Sequence, residues 1–202
     1  MEQRSDEWFE ARLGKVTASK IADVMSTLKT GKEAITRKNY RIQLVSERLT
    51  GKKADSFMND AMRIGIEREE DARTTYMFKH NDVEEVGFVD HPSIPMTGAS
   101  PDGLVGDDGL IEIKCPLATT HTDTIISGEA PSKYIPQMQW QMACTGRQWC
   151  DFVSFNPDFP ENLQLFVVRV DRDDTIIKEL EDGVKKFLSE VDETVVKLKE
   201  KE

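Results

Sequence analysis

The sequence is poor in cysteine and contains no long hydrophobic run. Its three cysteines, Cys115, Cys144 and Cys150, are odd in number and irregular in spacing, which fits neither a disulfide framework nor a cysteine-ligated zinc or iron–sulfur site. No stretch approaches the roughly 18 apolar residues that a membrane span requires. The first residues also lack the apolar core of a secretory signal. We therefore expect a cytoplasmic protein that does not contact a membrane.

Positive charge is also scarce. The chain has 27 lysine and arginine residues against 37 aspartate and glutamate residues, which gives a net charge of −10. A protein that binds nucleic acid by neutralising phosphates is usually basic, so the composition alone favours another partner. A small basic channel inside an acidic exterior would give the same total, however. With 38% hydrophobic and 32% charged residues, we expect one folded domain over residues 1–202.

The spacing of hydrophobic residues predicts helices in the first part of the chain and strands from residue 83 onward. Helices are predicted from Ser5 to Gly14, from Thr17 onward, over residues 34–50, 58–79, 119–127 and 136–146, and over the last thirty residues. Strands are predicted over residues 83–89, 104–105, 110–115, 149–155 and 163–170, with a hairpin turn at residues 107–109. This order predicts a mixed α/β fold around a modest sheet.

The helix predicted over residues 58–79 places a carboxylate on an apolar face. At about 100° per residue, Glu69 falls in a stripe with Ile66 and Tyr76, which the helix should turn towards the core. An inward carboxylate is costly unless it is paired or bound to a metal. Glu69 is therefore expected either to pair with Arg73 at i+4 or to bind a metal ion, and the spacing alone does not separate the two.

The second hairpin strand carries the most specific pattern. Alternate residues of a strand share a face, so Glu112 and Lys114 point to one side while their apolar neighbours point to the core. Asp102 precedes the first hairpin strand, and the antiparallel turn should bring it beside Glu112. A Pro-Asp-Gly or a Glu-x-Lys alone is common in turns and on surfaces, whereas the two on one hairpin indicate a site.

Close carboxylates repel each other unless a cation separates them. A hard divalent ion such as Mg²⁺ takes oxygen ligands, and the backbone carbonyl of Ile113 and the carboxylate of Glu69 could complete the set. Two such ions would activate water and stabilise the leaving oxygen in phosphodiester hydrolysis. Lys114 could deprotonate or orient the attacking water, or stabilise the charge on phosphate.

These motifs resemble those of the restriction-endonuclease-like nucleases, and more of the chain resembles the phage lambda exonuclease (YqaJ-type viral recombinase) family. Five blocks follow the family's order, namely RLGKVTAS at 12–19, EEDAR at 69–73, GASPDGL at 98–104, EIKCP at 112–116 and YIPQMQ at 134–139. The resemblance implies a restriction-endonuclease-like α/β core, with a central mixed β-sheet and flanking helices.

The resemblance also implies an activity. Members of this family degrade linear double-stranded DNA in the 5′→3′ direction and leave 3′ single strands for a single-strand annealing protein. They require two Mg²⁺ ions, for which Mn²⁺ substitutes, and they form a homotrimeric ring around DNA. A member would be encoded by a phage or prophage and would act in the bacterial cytoplasm.

The family's catalytic set falls on five residues of this sequence. The metal carboxylates correspond to Glu69, Asp102 and Glu112, so the resemblance favours the metal-binding alternative for Glu69. The catalytic lysine corresponds to Lys114, and a helical glutamine corresponds to Gln137.

The family's DNA-end contacts fall on four further residues. The pocket for the 5′-phosphate corresponds to Arg12, Ser19 and Ser100. Ser19 lies in the first turn of a predicted helix, where free N–H groups suit an anion, and Arg12 can hold phosphate through two N–H groups. Met62 corresponds to the apolar wedge that separates the last base pair, with a core methionine as the alternative.

Some features depart from the family or leave alternatives open. A basic residue that follows the family's lysine strand is absent, and His121 is either its replacement or a surface residue. We expect His80 and His91 to face solvent and Trp140 and Trp149 to lie in the core. The alternatives to an exonuclease are a structure-specific endonuclease of the same fold and a catalytically inactive DNA-end-binding recombination protein.

Overall fold

The computed structural model describes residues 2–28, 31–54 and 60–201, apart from the side chains of residues 60–62. The α-helices of this part of the chain are α1 (Asp6–Arg12), α2 (Ile21–Met25), α3 (Ile35–Thr50), α4 (Asp60–Lys79), α5 (Ala118–Ser127), α6 (Ile135–Thr145) and α7 (Asp174–Lys199). Within the described residues, no helix combines the length and the apolar character that crossing a bilayer requires. The predicted succession of helices is confirmed.

The strands divide into two mixed sheets. They are β1 (Val16–Thr17), β2 (Val89–Asp90), β3 (Thr97–Ala99), β4 (Gly103–Val105), β5 (Gly109–Lys114), β6 (Trp149–Phe155) and β7 (Leu165–Asp171). One sheet has the order β1-β3-β2 and the other the order β4-β5-β6-β7. Strand β5 pairs antiparallel with β4 and parallel with β6. The predicted mixed α/β class and the β4–β5 hairpin are confirmed.

The four-stranded sheet lies between α4 and α6. Because residues alternate along β5, Ile111 packs with Tyr76 of α4 on one face, while Leu110 packs with Met138 of α6 on the other. Each fully buried aliphatic side chain stabilises the fold by roughly 1.5–3 kcal/mol. This packing fixes the register of β5, and it directs Glu112, two residues after Leu110, towards α6.

Helix α7 closes a separate part of the core. It begins at Asp173, whose side chain accepts hydrogen bonds from the backbone N–H groups of Thr175 and Ile176. Its buried stripe, which includes Val184 and Phe187, packs against α2, α3 and α6. The apolar stripe of the closing helix is therefore a packing surface of this chain.

The strand predicted over residues 83–89 is wrong for most of that segment. Only Val89 belongs to a strand, the two-residue β2. The backbone carbonyl of Val86 accepts a hydrogen bond from Gln3 Nε2 at 2.8 Å. The carbonyl of Val86 is thus bonded to a side chain of the N-terminal segment and not, as the alternating pattern had predicted, to a neighbouring strand.

His91 is buried, which corrects the prediction that it faces solvent. Its ring stacks on Trp140, with 4.9 Å between the ring centroids. Its Nδ1 accepts hydrogen bonds from the backbone N–H groups of Ser93 and Ile94, at 3.3 and 3.2 Å. The sequence pattern around a single histidine does not predict that its ring will accept hydrogen bonds from the backbone of the following turn. The predicted core position of Trp140 is confirmed.

Candidate active site

A cavity of about 190 Å³ lies where the β4–β5 hairpin meets α1, α4 and α6. Every predicted site residue except Met62 lines it, namely Arg12, Ser19, Glu69, Ser100, Asp102, Glu112, Ile113, Lys114 and Gln137. The side chain of Met62 lies outside the described residues, so its role stays a prediction. The fold therefore brings together residues that are up to 125 positions apart in the sequence, from Arg12 to Gln137.

Glu112 is held from three sides although it is only 1% exposed. Its Oε1 accepts hydrogen bonds from the ammonium group of Lys114 and, at 2.6 Å, from Gln137 Nε2. Its Oε2 accepts a 2.6 Å hydrogen bond from Gln141 Nε2. A buried carboxylate is tolerated when such donors compensate for the lost water. Strand β5 and helix α6 together fix the orientation of this group.

Asp102 lies directly before β4 and reaches back to β5. Its Oδ2 accepts a 2.7 Å hydrogen bond from the backbone N–H of Ile113. Burial raises the pKa of Asp102 well above its ordinary value, and the nearby charges of Glu112 and Glu69 raise it further, while Lys114 opposes them. The three carboxylates are therefore close enough for the charges of Glu112 and Glu69 to act on Asp102.

Lys114 supplies a positive charge directly beside Glu112. Burial disfavours its ammonium form, but Glu112 and Asp102 outweigh burial and raise its pKa above the ordinary value. The Nζ atom also lies 5.0 Å from the centroid of the Tyr134 ring, a distance at which a cation and an aromatic ring attract each other. Lys114 is thus an ammonium group next to the carboxylates of Glu112 and Asp102.

Glu69 approaches the cluster from α4. Its Oε1 lies 3.4 Å from Arg73 Nη2, and its Oε2 lies 2.7 Å from Arg4 Nη2. The pairing with Arg73 that the helical spacing allowed is therefore present. Glu69 also lines the cavity with Asp102 and Glu112, so the pairing does not remove it from the candidate metal ligands.

The donor chemistry of the cavity fits a divalent cation, although no ready-made ligand cluster is formed. In the described part of the chain, no group of three or more histidine, cysteine, aspartate or glutamate side chains is arranged to hold a metal ion. Lys114 forms a salt bridge with Glu112, and Arg4 forms one with Glu69. The available donors are hard oxygen atoms, and the carboxylates of Asp102, Glu112 and Glu69 line the same cavity. Mg²⁺ and Mn²⁺ are the ions that such donors suit.

Arg12 forms the cationic side of the cavity. Its guanidinium group stacks on the indole ring of Trp8, with Cζ 3.7 Å from the ring centroid. Burial lowers the pKa of Arg12 to about 10, while the charges of Tyr40 and Glu47 oppose the change. The group therefore stays charged at neutral pH, where it can bind an anion through two N–H groups.

Ser100 is oriented by the same pair of side chains. Its Oγ accepts hydrogen bonds from Trp8 Nε1 at 2.9 Å and from Arg12 Nη1 at 3.3 Å. Because a hydroxyl group accepts through two lone pairs, the O–H of Ser100 remains free to donate to a bound anion. Arg12 and Ser100 can thus act together on a phosphate group.

Ser19 lines the cavity, but its local structure differs from the prediction. The chain forms strand β1 and then a 3₁₀ turn at Ala18–Lys20, and α2 begins only at Ile21. Ser19 therefore does not lie in the first turn of an α-helix, and the helix-terminus argument for anion binding does not apply. Its hydroxyl lies 3.4 Å from Thr17 Oγ1. The chain therefore offers an anion two neighbouring hydroxyl groups here and not the free N–H groups of an α-helix.

Sequence reasoning missed several residues at this site. Gln141 follows Gln137 at i+4, and Trp8 precedes Arg12 by four residues, so the helical spacing could have placed both on the correct face. Gln3 also lines the cavity, and no motif or periodic pattern marks it. The missed residues hold the predicted ones in position.

His121 is neither a phosphate contact nor a surface residue. It is fully buried, its Nδ1 lies 2.7 Å from Ser154 Oγ, and its Nε2 lies 2.8 Å from the carbonyl oxygen of Leu163. Both ring nitrogens are used in tying α5 to β6 and to the connection before β7. The histidine therefore does not replace the basic residue that the family carries after the lysine strand.

The chain is similar to known nucleases along most of its length. It matches the model of the YqaJ-like viral recombinase domain over residues 7–148. An alkaline exonuclease from Laribacter hongkongensis is 51% identical with a TM-score of 0.91, over 98% of this chain and 97% of that one. The structure of that exonuclease in complex with dAMP matches at 52% identity over the same shares. A phage-related exonuclease from Haemophilus somnus 129PT shares the fold, with 19% identity and a TM-score of 0.73 over 91% of this chain and 96% of that one.

No curated protein shows a significant match to the chain. The family match nevertheless covers well over half of the sequence, and all the predicted site residues lie inside it. The family assignment made from the sequence blocks is therefore confirmed. The chain belongs to the family of the YqaJ-like viral recombinase domain.

Proposed function

We propose that the protein is a metal-dependent 5′→3′ exonuclease that hydrolyses linear double-stranded DNA and leaves 3′ single strands. Family membership and the likeness to an alkaline exonuclease support a nuclease activity. The observation that carries the finer proposal is the shared cavity, because the carboxylates and the side chains of Arg12, Ser19 and Ser100 line one space of about 190 Å³. An enzyme that binds a terminal phosphate and cuts the adjacent bond needs both sets together.

The carboxylate side would perform the hydrolysis. Two Mg²⁺ ions, or Mn²⁺ in their place, would be held by Glu69, Asp102, Glu112 and the carbonyl oxygen of Ile113. Bound divalent ions supply an activated water and neutralise charge on the leaving oxygen. The ammonium group of Lys114 can orient the attacking water or stabilise charge on the phosphate oxygens. Gln137 keeps the Glu112 carboxylate in place through its 2.6 Å hydrogen bond.

The cationic side would bind the 5′-phosphate. Arg12 presents N–H groups, Ser100 presents its O–H, and Ser19 adds a hydroxyl group from the 3₁₀ turn. Charge-assisted hydrogen bonds of this kind are stronger than neutral ones, so a phosphorylated end would bind more tightly than a hydroxyl end. The bound dAMP of the Laribacter relative supports a site for a nucleoside monophosphate.

The proposal extends to the assembly and partners of the family. We propose a homotrimeric ring that acts on DNA ends with a 5′-phosphate, and that hands 3′ single strands to an annealing protein. The protein would be phage- or prophage-encoded and would work in the cytoplasm of a bacterial host. The net charge of −10 is compatible with this arrangement because Arg12 and Lys114 lie in the cavity.

The test is digestion of a linear duplex labelled at its ends and carrying either a 5′-phosphate or a 5′-hydroxyl group. Reactions contain Mg²⁺ or a chelator, and a covalently closed circle is digested in parallel. The matched variant is Asp102→Asn, since an asparagine oxygen can still accept the hydrogen bond from Ile113. We expect Mg²⁺-dependent loss of the 5′ strand that is faster with phosphate and absent with the circle and the variant.

Three other outcomes would overturn parts of the proposal. Cleavage of the closed circle would identify an endonuclease, because a circle has no end. Tight binding of ends without hydrolysis would identify an inactive end-binding protein. Equal rates for phosphate and hydroxyl ends would remove the proposed role of Arg12 while leaving the hydrolytic cluster intact.

A further inference from the structure

Gln141 is a buried polar residue whose side chain has one strong interaction and one unpaired atom. It lies on α6 and is fully buried. Its Nε2 donates a 2.6 Å hydrogen bond to Glu112 Oε2. Its Oε1 is buried and has no hydrogen-bond partner within the described residues. An unpaired buried carbonyl is unfavourable, so core packing does not account for a glutamine here, whereas the charge-assisted bond to Glu112 does.

The two oxygens of Glu112 have partners on different sides. Oε1 is bound by Lys114 and Gln137, and both of these residues line the cavity. Oε2 is bound by Gln141, which is not among the lining residues. Oε1 is therefore the oxygen on the cavity side, and Oε2 is the oxygen on the buried side. Turning the carboxylate plane would break the bond to Gln141.

We propose that Gln141 is a positioning residue that holds the Glu112 carboxylate with Oε1 towards the divalent ions of this site. The inference rests on the proposed function, because it concerns the affinity of the same carboxylate cluster for metal. Lys114 and Gln137 share Oε1, the oxygen offered to a cation, whereas Gln141 holds the oxygen that is not offered. Its contact is therefore the one that orients the ligand without competing for it. Partners of this kind typically contribute 10- to 100-fold to metal affinity or activity.

Gln139 provides a matched control on the same helix. It is 2% exposed, and its Nε2 donates a 2.8 Å hydrogen bond to the carbonyl oxygen of Asp171. Its Oε1 accepts a 2.9 Å hydrogen bond from the backbone N–H of Asp173. Gln139 thus joins α6 to the start of α7 and does not contact Glu112. A change there removes a buried glutamine without touching the carboxylate cluster.

The experiment compares Gln141→Met with Gln139→Met in the full chain. Mn²⁺ binding is measured by titration calorimetry without DNA, and kcat and KM are measured on a 5′-phosphorylated duplex. We expect Gln141→Met to weaken Mn²⁺ binding roughly tenfold or more. We also expect it to lower kcat at subsaturating Mn²⁺ while KM for DNA ends stays unchanged. Gln139→Met should bind Mn²⁺ as the wild type does, even where its melting temperature falls.

The inference is overturned if Gln141→Met binds Mn²⁺ with wild-type affinity, or if both variants lose affinity equally. Should Gln141→Met not fold, Gln141→Asn serves by the same criteria, because its amide is one methylene too short to hold Glu112. Failure of both Gln141 variants to fold while Gln139→Met folds would assign a purely structural role. A wild type that binds no Mn²⁺ would instead refute the proposed function itself.

Discussion

At the scale of single residues, the cavity consists of candidate site residues held in place by other side chains. Trp8 supports Arg12 by stacking at 3.7 Å and orients Ser100 by a 2.9 Å hydrogen bond. The Trp8→Leu variant loses both contacts. We expect a roughly tenfold rise in KM for 5′-phosphorylated ends, which corresponds to about 1.4 kcal/mol of lost cation–π and hydrogen-bond energy. KM for 5′-hydroxyl ends should change little.

A second stacked pair of the same type provides the control for Trp8. Arg169 lies over the ring of Trp149 with Cζ 3.5 Å from the centroid, and neither residue lines the cavity. The Trp149→Leu variant should keep the wild-type preference for phosphorylated ends. A Trp8→Leu enzyme that still prefers phosphate over hydroxyl to the wild-type extent would show that Arg12 needs no support.

His91 predicts a residue-scale dependence of stability on pH. Burial lowers its pKa below the ordinary 6.5, while Glu181 opposes and Lys185 assists the change. The unfolded chain takes up the proton near 6.5 and the folded chain resists it, so this contribution to stability is lost as pH falls below 6.5. Urea unfolding between about pH 7.5 and pH 5.5 should show a smaller loss for His91→Gln than for the wild type. If the wild type and His91→Gln lose equal stability over this pH range, groups other than His91 cause the loss.

The individual site residues show which sequence signals were informative. Asp102, Glu112 and Lys114 could be placed from strand alternation and the hairpin turn, because that geometry is local. Arg12 and Ser100 were placed only by family resemblance, since 88 positions separate two residues that the fold joins by one hydrogen bond. His121 was misplaced because its partners, Ser154 and Leu163, are distant in sequence. His91 was misplaced because its ring stacks on Trp140 of α6, a contact that the local sequence does not contain.

At the scale of elements, prediction succeeded for long segments that are mostly apolar and bounded by turn residues. Strand β6 was predicted with its observed bounds, and its residues after Trp149 are buried. In the segment predicted as a strand over residues 83–89, Glu84 forms a single bridge with Leu104, and the side chain of Gln3 satisfies the backbone carbonyl of Val86. Helix α2 begins later than predicted because Val16–Thr17 pairs with β3. Short elements are thus decided by tertiary contacts, which the local pattern does not contain.

The elements also explain why the candidate site is rigid on one side. Glu112 and Ile113 belong to β5, which pairs along its length with β6, and α6 covers the Glu112 face through Gln137 and Gln141. Side chains on paired strands and packed helices hold their positions better than those on loops. By contrast, the side proposed to bind phosphate is built from the short elements near the N-terminus, where side-chain contacts such as Trp8 to Ser100 provide the order.

At the scale of the whole molecule, the acidic composition predicts how DNA binding responds to salt. The net charge is −10, and among the described residues only Arg12 and Lys114 add lysine or arginine charge to the lining of the cavity. With a slope of about −0.9 per neutralised phosphate, the plot of log affinity against log salt should have a slope of roughly −2. Fluorescence anisotropy with a 5′-phosphorylated duplex in chelator would measure it, and Arg12→Met should make it shallower by about 1. A slope of about −6 or steeper would require a long basic track outside the cavity, because two cationic side chains cannot release that many counterions.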